Sequence, residues 1–266
     1  MAYLRSRLAA LRFHAKAWVL RRRFKPYVIH RQVENLDFDF YVGDSESQIW
    51  NDLEASDGAW EEMRFVLREL VGPGDIVFDC GAHHGTTAVL FALRAGPTGR
   101  VIAFEPHPRN VRIIEENLRL NRLSTVAVQP EAIGARRQTV QLRNRSNAAV
   151  AFGRSRGFPV DMTTLDDYAA AAGVMPTFVK IDVEGYETDV LRGAAKVVAG
   201  LPKLSIELHP RALPRYGSSV EELLSLLPTD RYDLWLLDTD AGPARPFTPG
   251  LLLDVDRAHL FARPKS

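Results

Sequence analysis

The chain has 266 residues, of which 46% are hydrophobic and 25% charged, and it carries 34 basic and 33 acidic side chains. That composition is ordinary for a soluble globular protein with one sizeable α/β core and a small appendage. The single cysteine, Cys80, excludes an internal disulfide framework and fits a reducing compartment. No apolar run approaches the roughly 20 residues needed to span a bilayer. No N-terminal apolar core resembles a signal peptide, so a cytoplasmic enzyme is the expectation.

The balanced charge hides an asymmetry. Residues 1–25 carry eight basic side chains and no acid, which leaves 26 basic against 33 acidic groups in the rest, about −7. Leu4, Leu8, Leu11, Ala15 and Trp18 recur there at helical spacing. A basic amphipathic helix of this kind either packs on the body or contacts an anionic membrane surface or an acidic partner. Residues 1–70 read as this helix plus a small cap, a strand pair near Val33–Val42 and a helix over Trp60–Leu70. Gly72-Pro73-Gly74 ends the cap, and residues 71–266 form the main domain.

From Asp75 the order is regular. Strand 75–79 precedes helix 85–95, and strand 100–104 precedes helix 108–121. Strand 124–129 follows, then a hairpin insertion at 138–160 and a short helix at 164–172. Strand 177–181 leads to helix 186–199, and strand 203–208 to helix 218–227. Strands at 232–237 and 258–263 finish the chain with no clear helix between them. Alternating βα units predict a mostly parallel seven-stranded sheet with helices on both faces and an antiparallel C-terminal edge.

The glycine turn Asp79-Cys80-Gly81-Ala82-His83-His84-Gly85 sits between the first of these strands and its helix. The second strand closes on Glu105, twenty residues past Gly85. This is the layout of a nucleoside-binding α/β domain. Asp79 beside the turn would repel a pyrophosphate, and it suits a cationic ligand. S-adenosylmethionine (SAM), with a sulfonium and an ammonium and no phosphate, therefore matches better than NAD. Glu131-Ala132-Ile133-Gly134 follows the third strand and is placed to wall the adenine, or it is an ordinary turn.

Chemistry is expected at two further strand ends, Lys180-Ile181-Asp182-Val183-Glu184-Gly185 and Ser205-Ile206-Glu207-Leu208-His209-Pro210. Alternation puts Lys180, Asp182 and Glu184 on one side, and Glu207 with His209 on one side of the next strand. If the strands are neighbours, Asp182, Glu184, Glu207 and His209 converge on one mouth. The plainer reading is a structural ion pair between Lys180 and Glu207.

These segments resemble the FkbM family of SAM-dependent methyltransferases. The resemblance rests on Val77-Phe78-Asp79-Cys80-Gly81-Ala82, Ala103-Phe104-Glu105-Pro106, Ala132-Ile133-Gly134, Thr163-Thr164-Leu165-Asp166-Asp167, Lys180 to Gly185, and Leu191-Arg192-Gly193-Ala194. It covers roughly residues 70–263, and Lys180 to Gly185 is its most specific part. It implies a class I methyltransferase (Rossmann-like) fold and methyl transfer to hydroxyls of saccharides, lipids or secondary metabolites. By the resemblance, Asp79, Gly81, Ala82 and Gly85 hold the methionine end, with His83 in place of the family's usual Asn. Glu105 and Pro106 serve the ribose, Glu131 and Ala132 border the adenine, and Asp182 sits near the transferred methyl. His84 departs from the pattern and reads as a surface or packing residue.

The expected reaction is displacement of the methyl group onto a substrate oxygen. His209 is the first candidate for general base, because its ordinary pKa lies nearest neutrality. Asp182 or Glu207 would serve instead or would orient it. A divalent cation on Asp182, Glu207 and His209 is a further option, although no metal is assigned. The expected acceptor is a small molecule, glycan or lipid, and no nucleic-acid partner is expected. Arg143, Arg145, Arg154 and Arg156 of the hairpin region either line its pocket or are solvated surface. A nicotinamide oxidoreductase and a non-catalytic SAM-binding scaffold are the rival functions.

Overall fold

The structure is a computed structural model that describes residues 24–54, 60–143, 150, 157–238, 243–247, 255 and 257–265. The basic helix expected over residues 1–25 lies outside the described residues, apart from Phe24 and Lys25. Arg145, Arg154 and Arg156 lie outside them too.

The cap begins with a hairpin of β1 (Tyr27–Val33) and β2 (Leu36–Val42). Helix α1 (Ser45–Glu54) follows, a helix the sequence reading did not foresee. Asp44 starts it, because its Oδ1 accepts the backbone N–H of Glu46 at 3.0 Å and of Ser47 at 2.7 Å. The Trp60–Leu70 helix is real but composite, since α2 (Glu61–Phe65) runs into a π-helical turn at Val66–Leu70. Phe38, Phe40, Met63 and Leu67 of the cap are buried in one core with Val77, Phe91, Ile114 and Phe261 of the main sheet.

The main sheet contains β3 (Ile76–Cys80), β4 (Arg100–Phe104), β5 (Val126–Gln129), β9 (Phe178–Ile181), β10 (Lys203–Leu208), β11 (Tyr232–Asp238), β12 (Arg245–Pro246) and β13 (Ala258–Pro264). Its order is β12-β11-β13-β10-β9-β3-β4-β5. From β10 to β5 the neighbours are parallel. Strand β13 inserts antiparallel between β10 and β11. The expected antiparallel end is therefore present, with the last strand inside it. The eighth strand is β12, two residues that pair with Trp235 and Leu236. Val77, Phe78, Val101 and Ile102 are all fully buried, as continuous apolar runs covered on both faces must be.

Helices α3 (Thr86–Ala95), α4 (Pro108–Leu120), α5 (Leu165–Ala172) and α8 (Val220–Ser225) match the expected positions. The helix expected over 186–199 is broken into α6 (Glu187–Arg192) and α7 (Ala195–Ala199). Gly193 causes the break by packing on the Gly134 backbone, where an added Cβ would lie 2.1 Å from the Gly134 carbonyl oxygen. Between β5 and α5, strands β6 (Ala132–Ile133), β7 (Gln138–Arg143) and β8 (Gly157–Thr163) form a separate small sheet, which contains the expected hairpin. Among the described residues, no helix is long and apolar enough to cross a membrane.

Candidate active site

A cavity of about 230 Å³ opens over the carboxyl ends of the parallel strands. Its floor is the turn after β3. Gly81 has φ +86, and the backbone N–H groups of Gly81 and Ala82 both donate to the Phe104 carbonyl, at 3.0 and 3.1 Å. A Cβ on Gly81 would lie 1.9 Å from the Asp182 carbonyl oxygen. Asp182 N–H in turn donates to the Cys80 carbonyl at 3.0 Å. The turns after β3 and β9 therefore interlock through a position that has room for hydrogen only.

Gly81, Ala82, His83, Glu105, Pro106 and Asp182 line the cavity, and so do Glu131 and Ala132. Two of the expected cofactor residues stand behind this wall. Gly85 begins α3 at φ +88 and packs against Ile114. Asp79 is fully buried; its Oδ2 accepts the Thr87 hydroxyl at 2.6 Å and its Oδ1 has no hydrogen-bond partner. Burial pushes the Asp79 carboxyl up to about 6, against the pull of Lys180 and Thr87.

Glu105 is gripped on both oxygens. Its Oε2 accepts His83 N–H at 2.9 Å, and its Oε1 accepts His107 N–H at 2.8 Å and Asn110 Nδ2 at 3.2 Å. Burial still pushes its carboxyl up to about 8. His83 takes φ +52, and its ring stands 3.8 Å from that of His84 and edge-on to Trp50 at 5.3 Å. Burial keeps the His83 imidazole neutral, and its Nε2 is buried without a hydrogen bond. His84 is a packing residue that also lines the cavity. It is 3% exposed, with its carbonyl accepting Asn117 Nδ2 at 2.8 Å.

Strands β9 and β10 are neighbours in register, with Lys180 beside Ser205 and Ile181 beside Ile206. The expected convergence follows. Polar atoms of Asp182, Glu207 and His209 all lie within 4.8 Å of one another. Lys180 Nζ is 2.9 Å from Asp182 Oδ2, so the buried ion pair is with Asp182 rather than with Glu207. His209 Nδ1 donates to Glu187 Oε1 at 2.8 Å, and His209 Nε2 stands 3.7 Å from Glu184 and 4.0 Å from Glu207.

These contacts set the charges. Burial alone would lower the Lys180 ammonium, but Asp182, Asp79 and Glu62 outweigh it and keep it protonated. Burial would raise Asp182, but Lys180 and His209 hold it well below the usual carboxylate range. Glu207 goes the other way, because burial and the charge of Asp182 both raise it. One proton is thus shared by two carboxyl groups, and it resides on Glu207. Burial would lower His209, but Glu187 overrides it and takes the imidazole up to about 9. At neutral pH His209 is a cation. The three side chains are spaced to hold a divalent ion, yet the Lys180 ammonium already neutralises Asp182.

Several site residues escaped the sequence reading. Glu187 is fully buried; its Oε1 accepts the Gly185 N–H at 2.7 Å as well as His209. Trp50, Trp60, Glu62 and Arg257 also line the cavity. Trp60 and Met63 carry a helical apolar spacing, and nothing in that spacing tells a core from a cavity wall. Other segments that carry the family resemblance are structural. The Asp166 carboxylate accepts the N–H groups of Lys196 and Val197 at 2.9–3.0 Å, which caps α7 beyond the Gly193 break. The Thr164 hydroxyl oxygen accepts Asp167 N–H at 2.9 Å and caps α5.

Against known proteins, residues 79–234 match the family model described as "Methyltransferase FkbM domain", which is more than half of the chain. The chain belongs to the FkbM methyltransferase family. FkbM proteins use SAM, and this one is a SAM-dependent methyltransferase on a class I fold. A curated relative, the hexuronic acid methyltransferase AglP of Haloferax volcanii, is 26% identical over 187 residues, 68% of this chain and 73% of AglP. A solved FkbM methyltransferase from Methylobacillus flagellatus is 21% identical at TM-score 0.45, covering 80% of this chain. The chain spans 57% of the length of that protein. A putative rRNA methylase from Clostridium thermocellum is 12% identical at TM-score 0.50, covering 79% of this chain and 97% of its own, and it shares the fold.

The FkbM site fits the cofactor. The unpartnered His83 Nε2 and the Glu105 carboxylate, both on the cavity wall, supply hydrogen-bonding groups for a nucleoside and an amino-acid end. Asp182, held ionised on the cavity wall, suits a cationic ligand better than a pyrophosphate.

Proposed function

We propose that this FkbM methyltransferase transfers the SAM methyl group to a hydroxyl oxygen of a saccharide. The observation that carries the proposal is the junction of the glycine turn with Asp182, Glu184 and Glu207 in one cavity, so that the cofactor side and an acid-lined acceptor side adjoin. The name of the relative AglP supports a sugar as the acceptor class.

SAM supplies an activated methyl group, so the protein's main task is alignment and exclusion of water. Gly81, Ala82, His83, Gly85 and Asp79 are assigned to shape and hold the methionine end. Glu105 and Pro106 are assigned to the ribose, and Glu131 and Ala132 to the adenine. Asp182 is assigned the reacting hydroxyl. It is ionised, lies on the cavity wall, and is fixed by Lys180. The acceptor oxygen gains the methyl carbon as the sulfur–carbon bond breaks, and the hydroxyl proton passes to Asp182. A weak carboxylate base suffices, because the oxygen becomes strongly acidic as its new bond forms. Glu207 and His209 are positioning residues in this reading. His209 lies off the cavity wall and already holds its proton at neutral pH, so it acts through Asp182 rather than on the substrate.

The test is transfer of labelled methyl from SAM to a panel of saccharides, with lipid hydroxyls as the comparison. Asp182→Asn should cut turnover by about 10²–10⁴-fold while the protein still binds SAM. Methylation confined to lipids would remove the saccharide reading, and wild-type turnover in Asp182→Asn would remove the assignment of Asp182.

A further inference from the structure

The family match takes in most of the cavity lining but not all of it. Residues 79–234 supply the glycine turn, Glu105, Asp182 and Glu207. Trp50, Trp60 and Glu62 come from the cap before that span, and Arg257 comes from the approach to β13 after it. These four residues are cavity-lining groups that the matched span does not supply.

The charges of the site are unevenly matched. Among the described residues, Lys180 pairs with Asp182 at 2.9 Å, His209 with Glu187 at 2.8 Å, and His259 with Glu62 at 3.4 Å. Arg257 pairs only with Glu207, through Nε at 3.1 Å. The Arg257 side chain lines the cavity and is 50% exposed, so its guanidinium is within reach of a molecule that enters. Burial beside Asp182 keeps Glu207 protonated, and Arg257 then lacks a full counter-charge. A guanidinium fork suits a planar carboxylate, which it binds through two parallel N–H bonds. The indole of Trp60 lines the same cavity, with Arg31 stacked on it at 5.3 Å from the ring centre. An aromatic ring and several carboxyl groups in one cavity are a setting for a pyranose, which offers a C–H face and a hydroxyl rim.

We propose that Arg257 is a specificity-determining residue that pairs with the carboxylate of an acidic sugar and so selects uronic acids over neutral sugars as acceptors. The proposal rests on the saccharide reading above. Its pairing places the charged group beside Glu207 and leaves the sugar hydroxyls toward Asp182.

The experiment uses the full chain loaded with the demethylated cofactor and titrates two probes by calorimetry, methyl glucuronide and methyl glucoside. Wild type should bind the glucuronide about tenfold tighter, with the preference shrinking as salt is added. Arg257→Gln should bring the ratio of the two affinities to about one. Arg257→Lys, which keeps the charge and loses the fork, should restore part of it. Cofactor affinity and melting temperature in both variants report that the fold is intact. Equal binding of both sugars by wild type, or an unchanged ratio in Arg257→Gln, overturns the Arg257 assignment and leaves the saccharide reading standing. Binding of neither sugar by a protein that still binds its cofactor overturns both.

Discussion

Replacing Gly81 with Ala tests the interlock beneath the site. Two costs can be read from the structure. The residue sits at φ +86, where a Cβ costs about 1–2 kcal/mol. The new Cβ would also stand 1.9 Å from the Asp182 carbonyl oxygen. A comfortable approach is about 3.5 Å, so the β9 turn must retreat by more than about 1 Å. Forced overpacking of this kind costs about 1–3 kcal/mol. The sum is about 2–5 kcal/mol, or roughly 4–20 °C in melting temperature at about 2–4 °C per kcal/mol. Gly173→Ala is the control. Gly173 has φ +63 and nothing within 4 Å of an added Cβ, so only the backbone cost of about 1–2 kcal/mol applies. Thermal melts of both variants, followed by calorimetric titration with SAM, separate the two contributions. Gly81→Ala should be less stable than Gly173→Ala, and it should also bind SAM poorly because the glycine turn assigned to the methionine end is distorted. Equal melting temperatures with unimpaired SAM binding would refute the interlock.

Glu105→Ala should weaken SAM binding by about 10–100-fold, the value of hydrogen bonds to a charged group. Because the free carboxyl sits up at about 8 and ribose hydroxyls favour its ionised form, binding at pH 7 should release up to about one proton. Affinity should then rise between pH 6 and 8, and calorimetry in buffers of different ionisation enthalpy reads both effects; no proton release would discard the ribose role. His209 is raised from 6.5 to about 9, so its contribution to stability is full below pH 6.5 and is lost as pH rises through 9. His209→Gln should accordingly be about 2–3 kcal/mol less stable than wild type at pH 6 and nearly equal at pH 10 in denaturant titrations; a gap independent of pH would contradict the His209–Glu187 charge pairing. Turnover should survive exhaustive chelation, since Lys180 already neutralises Asp182, whereas loss of activity restored by magnesium would assign a metal to Asp182, Glu207 and His209.

Periodicity carried the parallel sheet well. Runs such as Val101-Ile102-Ala103-Phe104 are apolar throughout because both faces are covered, and helix spacing marked α3 and α4 within a residue or two. The glycine turn and the two acid-bearing strand ends were equally legible, because buried charge in such a pattern has few structural uses. The break at Gly193 was not legible. Its cause is the carbonyl of Gly134, far away in sequence. Helix α1 was missed because its start depends on the Asp44 side chain in a polar stretch that reads as loop. Trp50, Trp60, Glu62 and Arg257 were missed for a related reason. They meet only when the cap and the last strand close over the same opening, and no local pattern encodes that meeting.

The place of β13 has a consequence for the order in which the enzyme can be completed during synthesis. The last strand of the chain is an inner strand of the sheet, hydrogen-bonded to β10 on one side and β11 on the other. Until residues 258–264 leave the ribosome, β10 has an open edge and β11 has no place to dock. A nascent chain can assemble the glycine turn early, while Arg257 and His259 arrive after it. Chains that lack residues 257–264 should therefore present an unpaired strand edge, prone to aggregation, and a cavity without Arg257.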